Sequence, residues 1–111
     1  MSNNKNSVTP RVRVIQKLYG NLLNSEAEIE YPKSQYKKFI KDVVEGTIER
    51  NDLIVETIKK HIPSDLDLKR TDKLLKIIIF AAIFELMYKH NSPTKVIISE
   101  YVKTSEFFLE K

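Results

Sequence analysis

The first twenty residues carry basic side chains at a spacing suited to binding phosphate groups. Lys5, Arg11, Arg13 and Lys17 lie there without an acidic residue among them, and Tyr19 follows. Arg13 and Lys17 are four residues apart, so a helix would place them on the same face. Lysine and arginine bind phosphates, and tyrosine can stack on unpaired bases. This end of the chain is a candidate RNA-binding surface, and the alternative is a solvated helix face with Tyr19 in the core.

The charge balance supports an anionic partner at this end. The chain has 111 residues, 19 of them basic and 15 acidic, for a net charge of +4. With the four basic residues of the first twenty set aside, 15 basic residues remain against 15 acidic ones. All of the net positive charge therefore lies at the N-terminal end, as is typical of a surface that holds an anion.

Glu85 is the other candidate, because it lies between Phe84 and Leu86 in the most apolar stretch of the chain. Burying an unpaired carboxylate is costly, so Glu85 must find hydrogen-bond donors or reach water. One interpretation is a structural hydrogen bond, for instance to a nearby helix N-terminus. The other is a polar anchor at a surface that binds RNA or a protein partner.

The composition gives no support to an enzyme or a metal site. Cysteine is absent, which excludes disulfides and thiolate ligands and suits a reducing cytoplasm. His61 and His90 are far apart in sequence, and the only glycines, Gly20 and Gly46, form no phosphate-binding loop. We therefore predict no catalytic residue, no metal and no cofactor.

The elements that must position these residues are helices. Glycine is scarce and proline-free runs are long, which argues against a sandwich or barrel. The longest apolar run, Ile77 to Phe84, is too short to span a bilayer. We predict a disordered tail over residues 1–8, without a signal peptide, and a single domain over residues 9–111. The predicted fold is all-α, a compact bundle of about five helices around a central apolar helix.

Helix boundaries follow from capping signals. Thr9-Pro10 predicts the start of the first helix, and Ser34, Asn51-Asp52, Thr71 and Ser92-Pro93 predict the starts of the other four. Gly46, within the second helix, indicates either a close contact with another helix or a tolerated weak point of the helix. The fourth helix is apolar on almost every side, so the other helices should surround it. The predicted inward-facing side chains of the other helices are Val12, Ile15, Leu18, Tyr19, Leu22, Leu23, Tyr36, Phe39, Ile40, Val43, Val44, Ile48, Leu53, Ile54, Ile58, Ile62, Val96, Ile97, Tyr101 and Phe108.

Two stretches also carry the motifs of a known family. From Leu74 to Glu100 the motif residues are Phe84-Glu85-Leu86, Pro93, Lys95-Val96, Ile98 and Glu100. In the first helix they are Arg11 and Ile15-Gln16-Lys17-Leu18-Tyr19. Over about residues 9–108 the chain resembles the NusB family of bacterial transcription antitermination factors. It departs from the pattern at Ser99, which replaces the usual Asn, and in lacking the family's Trp.

The resemblance implies a helical protein that binds boxA-type RNA with the ribosomal protein NusE, in the antitermination complex of RNA polymerase. It places the RNA surface at Arg11 and Arg13, with Tyr19 at the matching tyrosine. Lys17 stands where the family usually has a small residue, so its RNA role rests on charge alone. Glu85 matches the family glutamate and is expected at an RNA or partner interface.

The resemblance also predicts apolar surface on the last two helices. Family members usually continue with a further helix where this sequence ends at Lys111, which favours a homodimer or dependence on a partner. Two alternatives are open at this point. One is a helical protein-interaction module without an RNA role, and the other is the N-terminal domain of a ribosomal RNA methyltransferase.

Overall fold

The computed structural model describes residues 8–62, 70–89 and 91–109. Within these ranges the chain forms five α-helices, which are α1 (Pro10–Leu23), α2 (Lys37–Glu49), α3 (Asn51–His61), α4 (Lys73–Tyr88) and α5 (Thr94–Leu109). The predicted all-α bundle is confirmed. The predicted tail up to Ser7, with Lys5, lies outside the described residues, as does His90.

The first helix begins where the sequence predicts. Pro10 is its first residue, and the Oγ1 of Thr9 accepts a hydrogen bond from the Val12 backbone N–H at 3.2 Å. The helix contacts α2, α4 and α5. Because neighbours lie on several sides, the buried residues include Val14 as well as the predicted Val12, Ile15 and Leu18.

Several side chains predicted for the core are exposed. The buried part of α1 ends at Leu18, so its last turn meets solvent. In the other helices, the residues wrongly predicted for the core lie near helix ends or on outer faces. Periodicity alone does not show whether another helix covers these positions. The exposed residues are Tyr19, Leu22, Leu23, Tyr36, Ile48, Leu53 and Val96.

Two helix caps differ from the prediction by one or two residues. Ser34 accepts a hydrogen bond from the Tyr36 N–H at 3.2 Å, and α2 begins only at Lys37. At α4 the cap is Asp72 rather than Thr71, because the Asp72 Oδ2 accepts from the Leu74 and Leu75 N–H groups at 3.0 and 3.1 Å. A carboxylate there satisfies two free N–H groups and complements the helix dipole.

The remaining helix starts are also shifted slightly. Asn51 is the first residue of α3, and its N-cap is Arg50 rather than the predicted Asn51-Asp52 pair. Pro93 precedes α5 instead of opening it, and its carbonyl accepts from the Val96 and Ile97 N–H groups at 3.0 Å each. These shifts move no buried helix face.

The central position of α4 is confirmed, since α4 contacts each of the other four helices. It crosses α2 at Gly46, where an added Cβ would overlap the ring of Phe84. The predicted close contact at Gly46 is therefore also confirmed, and its partner is α4.

The outer face of α5 is apolar. Ile98, Val102 and Leu109 are 50%, 51% and 43% exposed, and their spacing places them in one stripe along the helix. We call these three residues the α5 stripe. Over the described ranges, no helix is both long and apolar enough to cross a membrane.

Candidate functional site

The basic residues of α1 lie on two different sides of the helix. Arg11 points inward, and its side chain is only 12% exposed. Arg13 is exposed, Lys17 is half-buried and Tyr19 is exposed. Consecutive helical residues are about 100° apart, so a two-residue step carries Arg13 to the side opposite Arg11. The predicted RNA-binding residues are therefore not one continuous surface.

Arg11 forms a two-point ion pair with Glu85 of α4. The Arg11 Nε donates to Glu85 Oε2 at 2.9 Å, and Nη2 donates to Oε1 at 2.8 Å. The Glu85 side chain is only 2% exposed. Paired N–H groups of one guanidinium facing both oxygens of one carboxylate are among the strongest and most specific hydrogen bonds in proteins.

Tyr101 of α5 completes this arrangement. Its hydroxyl donates to Glu85 Oε2 at 2.5 Å, and its ring centre lies 5.6 Å from the Arg11 guanidinium carbon. The Phe39 ring of α2 lies 4.9 Å from the same carbon, so aromatic faces border the cation. We call Arg11, Glu85 and Tyr101 the buried triad, and it joins α1, α4 and α5.

The triad shifts the titration of two of its members. Burial lowers the pKa of the Arg11 guanidinium, but the hydrogen bonds and charge of Glu85 outweigh burial and hold that pKa above its ordinary value. Burial raises the pKa of the Tyr101 hydroxyl well above its ordinary value, and the negative charge of Glu85 adds to the effect. Arg11 is thus kept charged, and Tyr101 is kept protonated as a donor.

The triad accounts for the polar group that Glu85 places in the apolar helix. The carboxylate has a structural hydrogen-bond role, which was one of its two interpretations, although the donors are side chains and not a helix N-terminus. The Arg11 guanidinium is held in the same bonds. Direct contact of Arg11 or Glu85 with RNA or a partner stays a prediction.

A second charged group lies beside Phe39. Lys89 places its Nζ 5.8 Å from the Phe39 ring centre and 3.6 Å from Asp42 Oδ2. Lys38 donates to the same oxygen at 2.9 Å, and this hydrogen bond lowers the pKa of the Asp42 carboxyl. Nothing in the local sequence indicates that Lys89 lies beside α2, so this contact could not be predicted.

A row of polar side chains, exposed at Arg13 and half-buried at Lys17 and Asn21, runs along one side of α1. Arg13, Lys17 and Asn21 are spaced four residues apart, which aligns them on a helix surface. Asn21 lies at the edge of a groove of about 240 Å³ between α1, α2, the start of α3 and α4. The groove is lined by Leu18, Asn21, Leu22, Thr47, Ile48, Asn51, Lys73, Lys76, Ile77 and Phe80.

Thr47 is the unusual residue of this groove. It is only 4% exposed, and its hydroxyl oxygen has no hydrogen-bond partner. Sequence reasoning missed the groove, because its walls come from four helices and no short motif joins them. An uncharged threonine within an apolar helix pattern gives no linear signal of a binding site.

No metal centre is formed by the part of the chain that the structure describes. His61 lies on the exposed side of α3, with its Nδ1 3.2 Å from the Thr57 carbonyl oxygen. A histidine bonded within its own helix needs no metal to explain its position.

The comparisons with known proteins agree with this architecture. Residues 4–109 match the sequence model of the NusB family. The chain belongs to the NusB family. The fold has the helical bundle expected of a NusB family member, and the Arg11 and Glu85 that carried the resemblance contact each other.

Individual relatives of this NusB family member come from several bacteria. The chain is 30% identical over 97 residues to the transcription antitermination protein NusB of Caulobacter vibrioides, covering 87% of this chain and 65% of that protein. It is 30% identical over 89 residues to the protein of the same name from Nitrobacter hamburgensis, covering 80% of this chain and 56% of that protein. It is 27% identical over 103 residues to the protein of the same name from Sphingopyxis alaskensis, covering 92% of this chain and 68% of that protein.

The chain spans about half to two thirds of the length of the curated relatives it matches. No solved structure matches the chain.

Proposed function

We propose that this NusB family member is a non-catalytic transcription antitermination factor that binds boxA-type single-stranded RNA through the exposed side of α1. The observation that carries the proposal is the pair of basic residues on one side of α1, the exposed Arg13 and the half-buried Lys17, on a family member whose relatives are named transcription antitermination proteins. Lys5 would add a further phosphate contact, and Tyr19 would stack on an unpaired base.

The chemistry of the row suits RNA. Charged groups on the exposed side of α1 contact phosphates without base preference, whereas stacking and edge contacts supply specificity. Tyr19 is 38% exposed, so part of its ring is accessible to a base, and because it follows Lys17 by two residues it lies on a different side of α1 from Arg13 and Lys17. The one-ended positive charge of the chain draws the RNA to this helix.

The proposal includes a protein partner, the NusE ribosomal protein, within the antitermination complex of RNA polymerase. Support comes from the α5 stripe, since exposed apolar patches mark protein interaction sites. A homodimer would use the same kind of surface. Sedimentation of the protein alone and mixed with NusE distinguishes NusE binding from homodimerisation. A protein that stays monomeric and does not bind NusE would contradict both.

The α5 stripe also favours a second candidate function, a helical interaction module without an RNA role. In that case Arg13 and Lys17 would only keep the surface solvated. RNA titration decides between the two candidates, because an interaction module would bind RNA weakly and without dependence on these two residues.

The deciding experiment measures affinity for a labelled boxA-type RNA at several salt concentrations. Each phosphate contact to a single strand contributes about 0.7 to the slope of log affinity against log salt. If Lys5, Arg13 and Lys17 contact phosphates, the slope is about −2.1, and if Arg11 also does, it is about −2.8. The wild-type slope thus reports whether Arg11 leaves the buried triad to bind RNA.

The variant that tests the surface is Arg13→Ala/Lys17→Ala. We expect weaker binding and a slope shallower by about 1.4, with an unchanged unfolding temperature, because both side chains lie outside the core. Lys59→Ala/Lys60→Ala removes the same charge from exposed positions of α3 and serves as the matched control. Equal slopes for the α1 variant and wild type would contradict the proposal.

A further inference from the structure

We propose that the RNA held by α1 continues onto the start of α2, where the side chains of Tyr36, Lys37 and Lys41 bind it. We call these three residues the α2 patch. This inference rests on the proposed function and extends its RNA-binding surface from one helix to two. Three observations support it, which are the free charges of the two lysines, the exposed ring beside them and their position next to the basic residues of α1.

The two lysines of the α2 patch are free to bind an anion. Residues 33–41 contain four lysines and no acidic residue, and all four lysines are exposed. Lys38 donates to Asp42 at 2.9 Å, so its charge is largely offset. Lys37 and Lys41, in contrast, form no ion pair with any residue that the structure describes. Their charges remain available to phosphates.

The stability of α2 does not explain a lysine at its start. The helix begins at Lys37 and has no acidic residue in its first turn. The N-terminal end of a helix carries partial positive charge, so a cation there is unfavourable. A phosphate bound by Lys37 would offset this repulsion, and residues that break such a local rule are commonly functional.

Tyr36 makes single-stranded nucleic acid a better fit to the patch than a small anion. Its side chain is 47% exposed, more than any other aromatic side chain in the ranges that the structure describes. The ring of Tyr88, in comparison, is covered by the Arg50 guanidinium, whose carbon lies 4.6 Å from the ring centre. Bases of any sequence stack on exposed aromatic rings, and nearby cations hold the strand that carries them.

α1 and α2 lie side by side and run in the same direction. Near their starts, the Arg11 guanidinium carbon lies 4.9 Å from the ring centre of Phe39. Near their ends, Asn21 and Ile48 line the same groove. Because the axes of packed helices are only about 8–10 Å apart, one RNA strand can contact both helices.

The position of Lys41 shows that the patch faces the basic residues of α1. Lys41 lines a groove of about 490 Å³ together with Asn21, which ends the polar row of α1. Lys37 lies one turn before Lys41 and therefore on the same side of α2. Glu45 lines the groove one turn after Lys41 and would repel phosphates. The RNA therefore crosses from α1 to α2 near the starts of the two helices.

The variant that tests the patch is Lys37→Ala/Lys41→Ala. Slopes of about −2.1 and −2.8 belong to an RNA that contacts only Lys5 and α1, and two further phosphate contacts make the wild-type slope steeper by about 1.4. The variant should lose this 1.4, and its affinity near 0.1 M salt should fall on the order of tenfold. Its unfolding temperature should stay the same or rise, because a cation leaves the positive end of α2.

Two controls remove lysines that lie outside the patch. Lys59→Ala/Lys60→Ala takes the same charge from exposed positions of α3 and should leave the slope unchanged. Lys38→Ala is compared with Lys41→Ala as a single variant of the same helix. Only Lys41→Ala should make the slope shallower, by about 0.7, because Lys38 is bonded to Asp42.

The length of the RNA separates the patch from α1. The labelled boxA-type RNA is shortened one nucleotide at a time from each end, and the salt slope is measured for each product. The wild-type slope should step from about −3.5 to about −2.1 when the RNA no longer reaches α2. On RNAs below that length, Lys37→Ala/Lys41→Ala should equal wild type, whereas Arg13→Ala/Lys17→Ala should still bind more weakly.

Tyr36→Leu tests the exposed ring. On RNAs that reach α2 we expect an affinity loss of about tenfold with an unchanged slope, because a stacking contact is lost and no charge is removed. On the shortened RNAs the variant should equal wild type, so each RNA length is a control for the other. Equal affinity of Tyr36→Leu and wild type on every RNA would show that the ring does not bind a base.

Each contrary result has a distinct meaning. If the wild type binds no RNA, the proposed function and this inference both fail. If the slope depends on Arg13 and Lys17 but Lys37→Ala/Lys41→Ala equals wild type or the α3 control on every RNA, only the α2 patch is overturned. If Lys37→Ala/Lys41→Ala loses NusE binding and keeps full RNA affinity, the patch belongs to a protein interface and the RNA contact is wrong.

Discussion

Arg11 and Arg13 lie two residues apart on one helix and have opposite environments. Arg11 is 12% exposed and bonded to Glu85 at two points, whereas Arg13 is exposed on the far side of α1. The difference shows that neighbouring basic residues of one helix can have separate roles. Arg11 fixes the helix to the bundle, and Arg13 leaves its charge in solvent.

The two environments also differ in how much a charged side chain contributes to the stability of the fold. A buried ion pair adds little net stability over an apolar pair, but removing one partner leaves a buried charge without compensation. An exposed charge is hydrated in both the folded and the unfolded state, so its removal hardly changes the free energy of unfolding. Substitutions at the buried triad should therefore change stability, and those at Arg13 should change RNA binding.

The largest expected effect comes from Glu85→Ala. This variant leaves the Arg11 guanidinium without its carboxylate and the Tyr101 hydroxyl without its acceptor. We expect the free energy of unfolding to fall by about 3–5 kcal/mol, as for other broken buried pairs. Urea denaturation followed by circular dichroism measures this change.

The matched control for that prediction is Glu49→Ala. The Glu49 side chain is 77% exposed and lies 3.7 Å from the Arg50 guanidinium, so its loss should change stability by less than about 1 kcal/mol. If the two glutamate variants lost similar amounts of unfolding free energy, the buried triad would contribute no more to stability than an exposed ion pair.

Tyr101→Phe should have the next largest effect. It removes the hydrogen bond to a charged carboxylate and should reduce stability by about 1.5–3 kcal/mol at neutral pH. Because the folded state raises the pKa of Tyr101, the stabilisation is complete below the ordinary tyrosine pKa of 10.0. It is lost as the pH rises above that value, because the unfolded chain ionises first.

The measurement is the stability difference between wild type and Tyr101→Phe from pH 7 to pH 11 or so, a window set by the ordinary tyrosine pKa of about 10. The difference should shrink above that value, and a constant difference would exclude Tyr101 as the titrating group. Tyr31→Phe is the control at neutral pH only, since its hydroxyl donates to the exposed Glu45 over 3.2 Å and burial and Glu45 also raise the pKa of Tyr31. It should have the smaller effect at neutral pH.

The smallest and sharpest test exchanges each arginine for lysine. Arg11→Lys keeps the charge but replaces a two-point contact by one, and should reduce stability by about 1–2 kcal/mol. Arg13→Lys should leave stability within about 0.5 kcal/mol and keep the RNA salt slope, because a lysine also binds a phosphate. Equal stability of the two variants by thermal and urea unfolding would remove the distinction between the arginines.

Local signals predicted much of the fold. Thr9-Pro10 marks the start of α1, the all-round apolar character of α4 marks its central position, and Gly46 marks a close crossing. Each signal depends on near neighbours in sequence. The outward side chains of α1 after Leu18 were predicted wrongly, because helical periodicity shows a face but not how far the neighbouring helices extend along it.

The candidate site was predicted only in part for the same reason. Charge and spacing place Arg13 and Lys17 on an outer face, and the exposure of Arg13 agrees. The bonds of Arg11 join residues 74 positions apart, and the groove around Thr47 takes its walls from four helices. No short sequence motif predicts contacts between residues that are so far apart in the chain.

The sequence by itself therefore determined the helices, the central place of α4, the one-ended charge and the resemblance to the family. The helices and the place of α4 follow from local propensity, capping and hydrophobic periodicity, which depend on near neighbours in the chain. The charge follows from composition, and the resemblance follows from the motif residues around Arg11 and Glu85. Only the tertiary structure decided which arginine is buried, which side chains pair with the Glu85 carboxylate and where the groove between the helices opens. Those depend on how the helices pack against one another, and packing brings together groups that are distant along the chain.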